Sequence, residues 1–212
     1  MGRDKENRGG SEILTTISTY DRIADDFRKH TLDEGDRDYQ EALLRRTMDM
    51  LCPSPRILDL GCGDGRDTSF LNSLGADATG LDLSHSMIRL ARKNYPDCTF
   101  VLGDMRRTPF HDDTFHCVWA SASVIHIPKR ELSMVEREIH RVLRPEGILS
   151  FSFKEGTGEG YQNDPYNEPR YYSYYTLHEL EQRLSSFRSL SHETYPGEIM
   201  GNRFTHCWLR AL

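Results

Sequence analysis

The chain has 212 residues, and its 27 Lys and Arg against 33 Asp and Glu give a formal net charge of −6. This length suits one compact domain, and the acidic balance argues against a surface built to bind nucleic acid. The five cysteines lack CxxC spacing, and the chain has neither an apolar signal core nor an apolar run of membrane-spanning length. We therefore expect a cytoplasmic protein in a reducing compartment, with no metal and no membrane partner.

The predicted elements start with two amphipathic helices, after a tail of residues 1–14 that we expect to be flexible. Short apolar runs then predict five strands, separated by helices near 68–74, 84–94 and 129–143. The strand sequences are RILDL, ADATGLDL, CTFVLGD, HCVWASAS and GILSFSF. Strands that alternate with helices are typical of a parallel sheet covered on both faces, so we predict an α/β fold.

The C-terminal part of the chain predicts a change in strand pairing. Thr176 and Glu179, three residues apart, form a capping box that opens a further helix. Two strands, LSHET and RFTHCWLRAL, follow with no helix between them, which indicates an antiparallel hairpin. The prediction is a single domain over residues 15–212, whose open, mostly parallel, seven-stranded sheet ends in antiparallel strands.

A glycine-rich loop, DLGCGDGRDT at residues 59–68, follows the first strand. The dinucleotide fingerprint G-x-G-x-x-G fits Gly61 and Gly63, but Arg66 stands where the third glycine is needed. Asp59 at the strand end would repel phosphates and suits a cation. Open α/β sheets bind ligands beyond the carboxyl ends of their strands, where this loop and Asp82 are predicted to lie.

The loop and the motifs GLDLSHSM, LGDMRRTPF and VWASASVIHIP resemble those of class I S-adenosylmethionine-dependent methyltransferases, from about Tyr20 to the C-terminus. The resemblance implies a Rossmann-like fold with a cofactor core at about 53–153. It also implies that Asp59 lies near the amino-acid end of the cofactor and that Asp82 accepts both ribose hydroxyls. The cofactor-binding residues that it implies are Tyr20, Asp59, Gly61, Cys62, Gly63, Gly65, Asp82, Leu83, Met87, Asp104, Met105, Ala120 and Ser121.

The resemblance further implies roles around the adenine and one departure from the family pattern. Ser84 is predicted to cap a helix on which Met87 packs against the adenine, and Asp104 is expected to take the adenine amino group. His116 stands where the fourth strand of the family usually has Asp, which we expect to alter a loop contact and not the cofactor site.

Other interpretations stay open for several of these residues. The glycines also suit a tight turn, Asp82 a strand-end acid, and Asp104 ordinary turn chemistry. Arg66 and Asp67 either cap the next helix or contact the cofactor. The HDD run at 111–113 is interpreted as a solvent-facing loop, and the NDPY run at 163–166 as a proline-rich loop.

Two residues are candidates for accepting a proton from the acceptor, His126 after the fourth strand and Glu155 after the fifth. An imidazole with a near-neutral pKa can act as a general base. The alternative for His126 is a packing role beside Pro128.

The segment over residues 154–176 holds six of the ten tyrosines and glycines at 156, 158 and 160. We predict a lid that closes over the substrate, with Lys154, Tyr161 and Arg170 as substrate-binding residues. The alternative is that the tyrosines pack on the edge of the sheet.

The expected function is transfer of a methyl group from S-adenosylmethionine to an oxygen or nitrogen of a small-molecule acceptor. A protein or RNA methyltransferase, a non-catalytic S-adenosylmethionine-binding protein and an NAD-linked oxidoreductase are the alternatives.

Overall fold

The computed structural model describes residues 9–30, 34–163, 168–195 and 203–212. These ranges contain six α-helices and nine strands. The helices are α1 Gly9–His30, α2 Glu34–Asp49, α3 Arg66–Ser73, α4 His85–Asn94, α5 Leu132–Val142 and α6 Leu177–Arg183. The strands are β1 Arg56–Leu60, β2 Asp77–Asp82, β3 Thr99–Leu102, β4 Phe115–Ala120, β5 Leu143–Lys154, β6 Glu159–Asn163, β7 Pro169–Ser173, β8 Phe187–Thr194 and β9 Phe204–Ala211.

Seven of the strands form one sheet in the order β3-β2-β1-β4-β5-β9-β8. The pairs from β3 to β5 are parallel, whereas β9 pairs antiparallel with both β5 and β8. The predicted fold and its C-terminal antiparallel pair are therefore confirmed. Parallel strands buried on both faces read as continuous apolar runs, and Trp119 on the parallel strand β4 is 0% exposed.

The helix starts that the sequence predicted are also observed. The Ser84 hydroxyl accepts a hydrogen bond from the backbone N–H of Met87 at 3.1 Å, which caps α4. The Thr176 hydroxyl accepts one from the N–H of Glu179 at 3.1 Å, which caps α6. Each satisfies a helix N–H that has no partner within its own helix.

The predicted tail and the predicted lid both contain regular secondary structure. The first helix begins at Gly9, inside the predicted tail of residues 1–14. Residues 1–8 of that tail lie outside the described ranges. The predicted lid contains the two-stranded hairpin β6-β7. Tyr171 on β7 donates its backbone N–H to Thr16 at 3.0 Å, and Thr19 donates its hydroxyl to the Pro169 carbonyl at 2.7 Å. These bonds fix the hairpin to α1.

Three shorter predictions concern loops. The HDD run is exposed, as expected. His116 accepts a hydrogen bond from the Arg56 N–H at 2.9 Å and lies 3.0 Å from Arg144, away from the cavity described below. Residues 164–166 of the NDPY run lie outside the described residues. Among the helices that are described, none combines the length and apolarity needed to cross a membrane.

Candidate cofactor and acceptor site

A cavity of about 320 Å³ lies at the carboxyl ends of the parallel strands, beneath α1 and the β6-β7 hairpin. This is where an open α/β sheet binds its ligands, and the volume is that of a small-molecule pocket. Most residues predicted for the site line it, and these are Tyr20, Asp59, Gly61, Cys62, Gly63, Asp82, Leu83, Met87, Asp104, Met105, Ser121, His126, Lys154 and Arg170.

The glycine loop forms one wall of the cavity through its backbone. The N–H groups of Gly61 and Cys62 both donate to the Leu81 carbonyl, at 2.7 and 3.0 Å, so the loop is tied to β2. Gly61 has a φ of +82°, and a Cβ at this position would lie 2.4 Å from Cβ of Ser123. Only glycine combines that conformation with so close an approach. At Gly63 a Cβ would meet no described atom within 4 Å.

The side of the cavity next to the glycine loop is acidic, and we call Asp59, Asp67 and Asp82 its acidic end. Asp82 accepts hydrogen bonds from the N–H groups of Gly63 at 3.0 Å and Ser84 at 2.8 Å, and burial raises its pKa. Asp59 accepts one from the Thr68 hydroxyl at 2.6 Å. Burial and the carboxylates of Asp67 and Asp82 raise the Asp59 pKa. A positively charged ligand would stabilise these carboxylates.

Asp67, which the sequence left open, has a structural network. It accepts hydrogen bonds from Gln40 at 2.8 Å, from the Trp119 indole N–H at 3.0 Å and from Arg66 at 2.9 Å. Gln40 also donates to the Ser121 hydroxyl at 2.7 Å. Asp67 therefore joins α2, α3 and β4 beneath the cavity.

Around the predicted adenine position, the structure places Met87 and Met105 in the cavity wall, with Met87 only 1% exposed. Asp104 lines the cavity too, but Arg106 already donates to both of its carboxylate oxygens. An adenine amino group would have to share this carboxylate with Arg106.

Four predicted residues are not brought to the cavity. Gly65 packs on the ring of Phe100, where a Cβ would lie within 2.6 Å, and Ala120 is 0% exposed inside β4. Glu155 accepts a hydrogen bond from the Thr205 hydroxyl at 2.6 Å, and Tyr161 is 49% exposed on β6. Successive side chains along a strand point to opposite faces of the sheet, so Glu155 points away from the face on which Lys154 lies. Glu155 therefore has no part in the proposed mechanism.

The opposite side of the cavity is basic, and we call Lys154, Arg170 and His126 its basic end. His126 Nδ1 lies 2.7 Å from the Tyr171 carbonyl oxygen, which can only accept, so Nδ1 carries the proton. Burial and the charges of Arg170 and Lys154 lower the His126 pKa to about 3, below the near-neutral value expected from the sequence, so the ring is neutral and a weak base. Its Nε2 therefore accepts a hydrogen bond from the Tyr20 hydroxyl at 2.8 Å.

Tyr20 connects His126 with the second cation. Arg170 Nη1 donates to the Tyr20 hydroxyl oxygen at 2.9 Å. The hydroxyl is thus held between a guanidinium, which stabilises negative charge on its oxygen, and an imidazole nitrogen that accepts its proton.

Sequence reasoning missed several aromatic and polar residues of the cavity wall. They include Tyr39, Tyr172, Tyr195, Phe204 and His206. His206 is 2% exposed, and burial and Arg46 lower its pKa to about 3. The period of two along β9 places Phe204 and His206 on one face, which is the signal that identifies them once β9 is paired with β5.

The order of the strands, the glycine loop after β1 and the acid at the end of β2 together define a Rossmann-like domain built to bind a nucleoside cofactor. The comparisons with known proteins agree. Residues 57–147 match the family model of a methyltransferase domain. Residues 57–147 are therefore similar to a methyltransferase domain, in agreement with the resemblance to class I S-adenosylmethionine-dependent methyltransferases, whose cofactor is S-adenosylmethionine.

Two relatives and one solved structure illustrate the similarity. A demethylmenaquinone methyltransferase of Chlorobaculum tepidum is 34% identical over 60% of this chain and 54% of its own length. A malonyl-[acyl-carrier protein] O-methyltransferase of Pseudescherichia vulneris is 32% identical over 45% of this chain and 38% of its own length. The matched segments therefore span about half or less of these relatives.

The solved structure to which the chain is similar is that of Burkholderia thailandensis 1,6-didemethyltoxoflavin-N1-methyltransferase with bound 1,6-didemethyltoxoflavin and S-adenosylhomocysteine. It has a TM-score of 0.73 and 21% identity, and the alignment covers 96% of this chain and 90% of that one. This similarity shows that the fold is shared along nearly the whole chain.

Proposed function

We propose that the protein transfers a methyl group from S-adenosylmethionine to an oxygen or nitrogen of a small-molecule acceptor. The observation that carries the proposal is one continuous cavity with an acidic end at the glycine loop and a basic, aromatic end beneath α1 and the hairpin. A cationic donor and a separate acceptor can then lie side by side.

The acidic end fits the donor. S-adenosylmethionine supplies an activated methyl group on a positively charged sulfonium. Asp59 is 2% exposed and, with Asp82, has its pKa raised by burial. Both carboxylates are costly to keep ionised without a cation. Gly63 has open space where a side chain would stand, which leaves room for a ligand against the backbone.

The protein's main task in this reaction is alignment and exclusion of water, because the donor is already activated. The hairpin is fixed to α1, and α1 is joined to the turn after β4 by the bond between Tyr20 and His126. These connections close the cavity over the acceptor. A hydroxyl or ammonium acceptor must also lose a proton, and Tyr20 with His126 behind it offers a route from the cavity to a neutral imidazole.

A small acceptor is favoured by the size of the cavity and by the names of similar proteins. Relatives and structural neighbours are named for demethylmenaquinone, 1,6-didemethyltoxoflavin and malonyl-acyl-carrier protein. Two of the three are free small molecules, and the third is a small acyl group on a carrier protein. Oxygen and nitrogen are both named among the methylated atoms, so both stay in the proposal.

The test combines binding with transfer. Titration calorimetry should show tight S-adenosylhomocysteine binding and no binding of NADH. The protein is then incubated with labelled S-adenosylmethionine and a metabolite extract, and the labelled product is identified by mass spectrometry. Tight NADH binding without S-adenosylhomocysteine binding would contradict the proposal. Cofactor binding without a labelled product in small-molecule, protein or RNA fractions would indicate a non-catalytic binding protein.

A further inference from the structure

Lys154, the last residue of β5, is a lysine buried at the wall of the cavity. It is 2% exposed, and its backbone carbonyl accepts a hydrogen bond from Tyr175 at 3.1 Å. Its Nζ lies 3.8 Å from the centroid of the Tyr172 ring and 5.7 Å from that of Phe204. Within the part of the chain that the structure describes, Nζ has no hydrogen-bond partner.

This position is costly for an ammonium group. Three donors without an acceptor in a buried site lose their hydration, and a cation–π contact with Tyr172 replaces none of the lost hydrogen bonds. Among the described residues, Arg170 is the one charged neighbour that shifts the Lys154 pKa, and its positive charge adds to the penalty. Burial and Arg170 together lower the pKa of Lys154 to about 8. Among the described residues, none places an anion beside Lys154 Nζ.

The other titratable groups at this end do not supply that anion. His126 and His206 have pKa values lowered to about 3 and are neutral. The carboxylates of the described cavity wall all lie on or after β1, β2 or β3, and they are Asp59, Asp64, Asp67, Asp82 and Asp104. Arg170 is 6% exposed and contributes a second positive charge at the wall.

We infer that the acceptor carries an oxyanion, which is either a carboxylate or a phosphate. This group binds Lys154 Nζ between the rings of Tyr172 and Phe204. This inference rests on the proposed function, because it assigns a chemical class to the molecule that receives the methyl group. The aromatic walls accommodate a flat apolar body next to the anionic group. Because Arg170 and Lys154 lower the His126 pKa, an anion bound between them raises it and makes His126 a better proton acceptor when substrate is present.

The experiment uses the protein saturated with S-adenosylhomocysteine and three probes of similar shape: benzoate, phenyl phosphate and the uncharged benzamide. Calorimetry should show that at least one anion binds at least tenfold more tightly than benzamide. Tighter benzoate identifies the anionic group as a carboxylate, and tighter phenyl phosphate identifies it as a phosphate. Equal affinities for the anions and benzamide, or no binding of any probe, overturn the inference.

Variants then assign the anion preference to one side chain. Lys154→Gln should lose at least tenfold in affinity for the preferred anion, whereas Lys154→Arg, which keeps the charge, should lose less. Lys93→Gln makes the same charge change on the exposed surface of α4 and should leave anion binding unchanged. Unchanged S-adenosylhomocysteine affinity in each variant shows that it is folded. An anion preference that survives in Lys154→Gln overturns the inference.

Proton uptake gives a second readout. Because the pKa of Lys154 is lowered to about 8, anion binding near this pH should be coupled to proton uptake, measured in two buffers of different ionisation enthalpy. Lys154→Gln should take up less, and equal uptake in both proteins contradicts the assignment. S-adenosylhomocysteine binding and labelled transfer without any anion preference would overturn this inference and leave the proposed function standing. Lys154-dependent anion binding without labelled transfer would overturn the proposed function and leave the anion site at Lys154 standing.

Discussion

The two ends of the cavity are built in opposite ways. The acidic end comes from one glycine loop and the strand ends beside it, and Asp59 and Asp82 accept hydrogen bonds from backbone N–H groups and a hydroxyl 2 to 19 residues away. The basic end collects Tyr20, His126 and Arg170 through hydrogen bonds between residues 106 and 150 positions apart. A donor site shared by many proteins needs only a local motif, whereas an acceptor site is assembled from the whole fold.

The largest expected effect tests the glycine loop at Gly61. Gly61→Ala should weaken S-adenosylhomocysteine binding at least about 100-fold, roughly 2.7 kcal/mol, because the added Cβ would lie 2.4 Å from Cβ of Ser123. Gly75→Ala is the matched control, since Gly75 also has a positive φ, +92°, but a Cβ there meets no described atom within 4 Å. Titration calorimetry measures both. Binding that is equally tight in the two variants would show that the Ser123 contact does not matter.

The acidic end is tested next at Asp82. Asp82→Ala should weaken S-adenosylhomocysteine binding at least about tenfold, because it removes the predicted ribose contact and leaves the N–H groups of Gly63 and Ser84 without their acceptor. Asp77→Ala, at the exposed start of the same strand, should bind normally. An unchanged dissociation constant for Asp82→Ala would remove this residue from the cofactor site.

The basic end should respond in turnover and not in cofactor affinity. Tyr20→Phe keeps the ring but removes the hydroxyl that joins Arg170 to His126, so turnover should fall about tenfold while S-adenosylhomocysteine affinity changes less than about twofold. His126→Ala should behave alike. Tyr174→Phe removes a buried hydroxyl that has no partner in the described ranges, and it is the control. If Tyr20→Phe and His126→Ala both keep full turnover, the proposed proton route is wrong.

The smallest expected effect is on stability and depends on pH. The folded-state pKa of Lys154 is lowered from 10.5 to about 8, so between these values the unfolded chain binds more protons than the folded protein. Stability therefore rises with pH across that window, and below about pH 8 the charged lysine destabilises the ligand-free fold. Lys154→Met should increase the free energy of unfolding by about 1 kcal/mol at pH 7.

Denaturant unfolding at several pH values checks this last prediction. The gain from Lys154→Met should shrink as the pH approaches 10, and Lys93→Met, an exposed control, should show no such trend. If the gain in the free energy of unfolding does not depend on pH, burial does not destabilise the charged form of Lys154 in the ligand-free protein.

Much of the fold was predictable because its signals are local. Strand β1 has the bounds of the RILDL run, and the caps at Ser84 and Thr176 lie where the sequence placed them. The hairpin β6-β7 was predicted as a mobile lid, since glycines and tyrosines without strong periodicity do not reveal strand pairing. Its order depends on hydrogen bonds to α1, which is about 150 residues away along the chain.

The sequence by itself determined the type of fold and, at the acidic end, Asp59 and Asp82, because the spaced glycines and these two carboxylates mark the ends of β1 and β2 locally. Only the tertiary structure decided the basic end. A lysine in a sequence is expected to be exposed, and Lys154 becomes a buried cation only when β9 pairs with β5 and the Tyr172 ring covers it. In the same way, the neutral state of His126 follows from the cations that the fold places around it. The proposed chemistry of the acceptor rests on these long-range contacts.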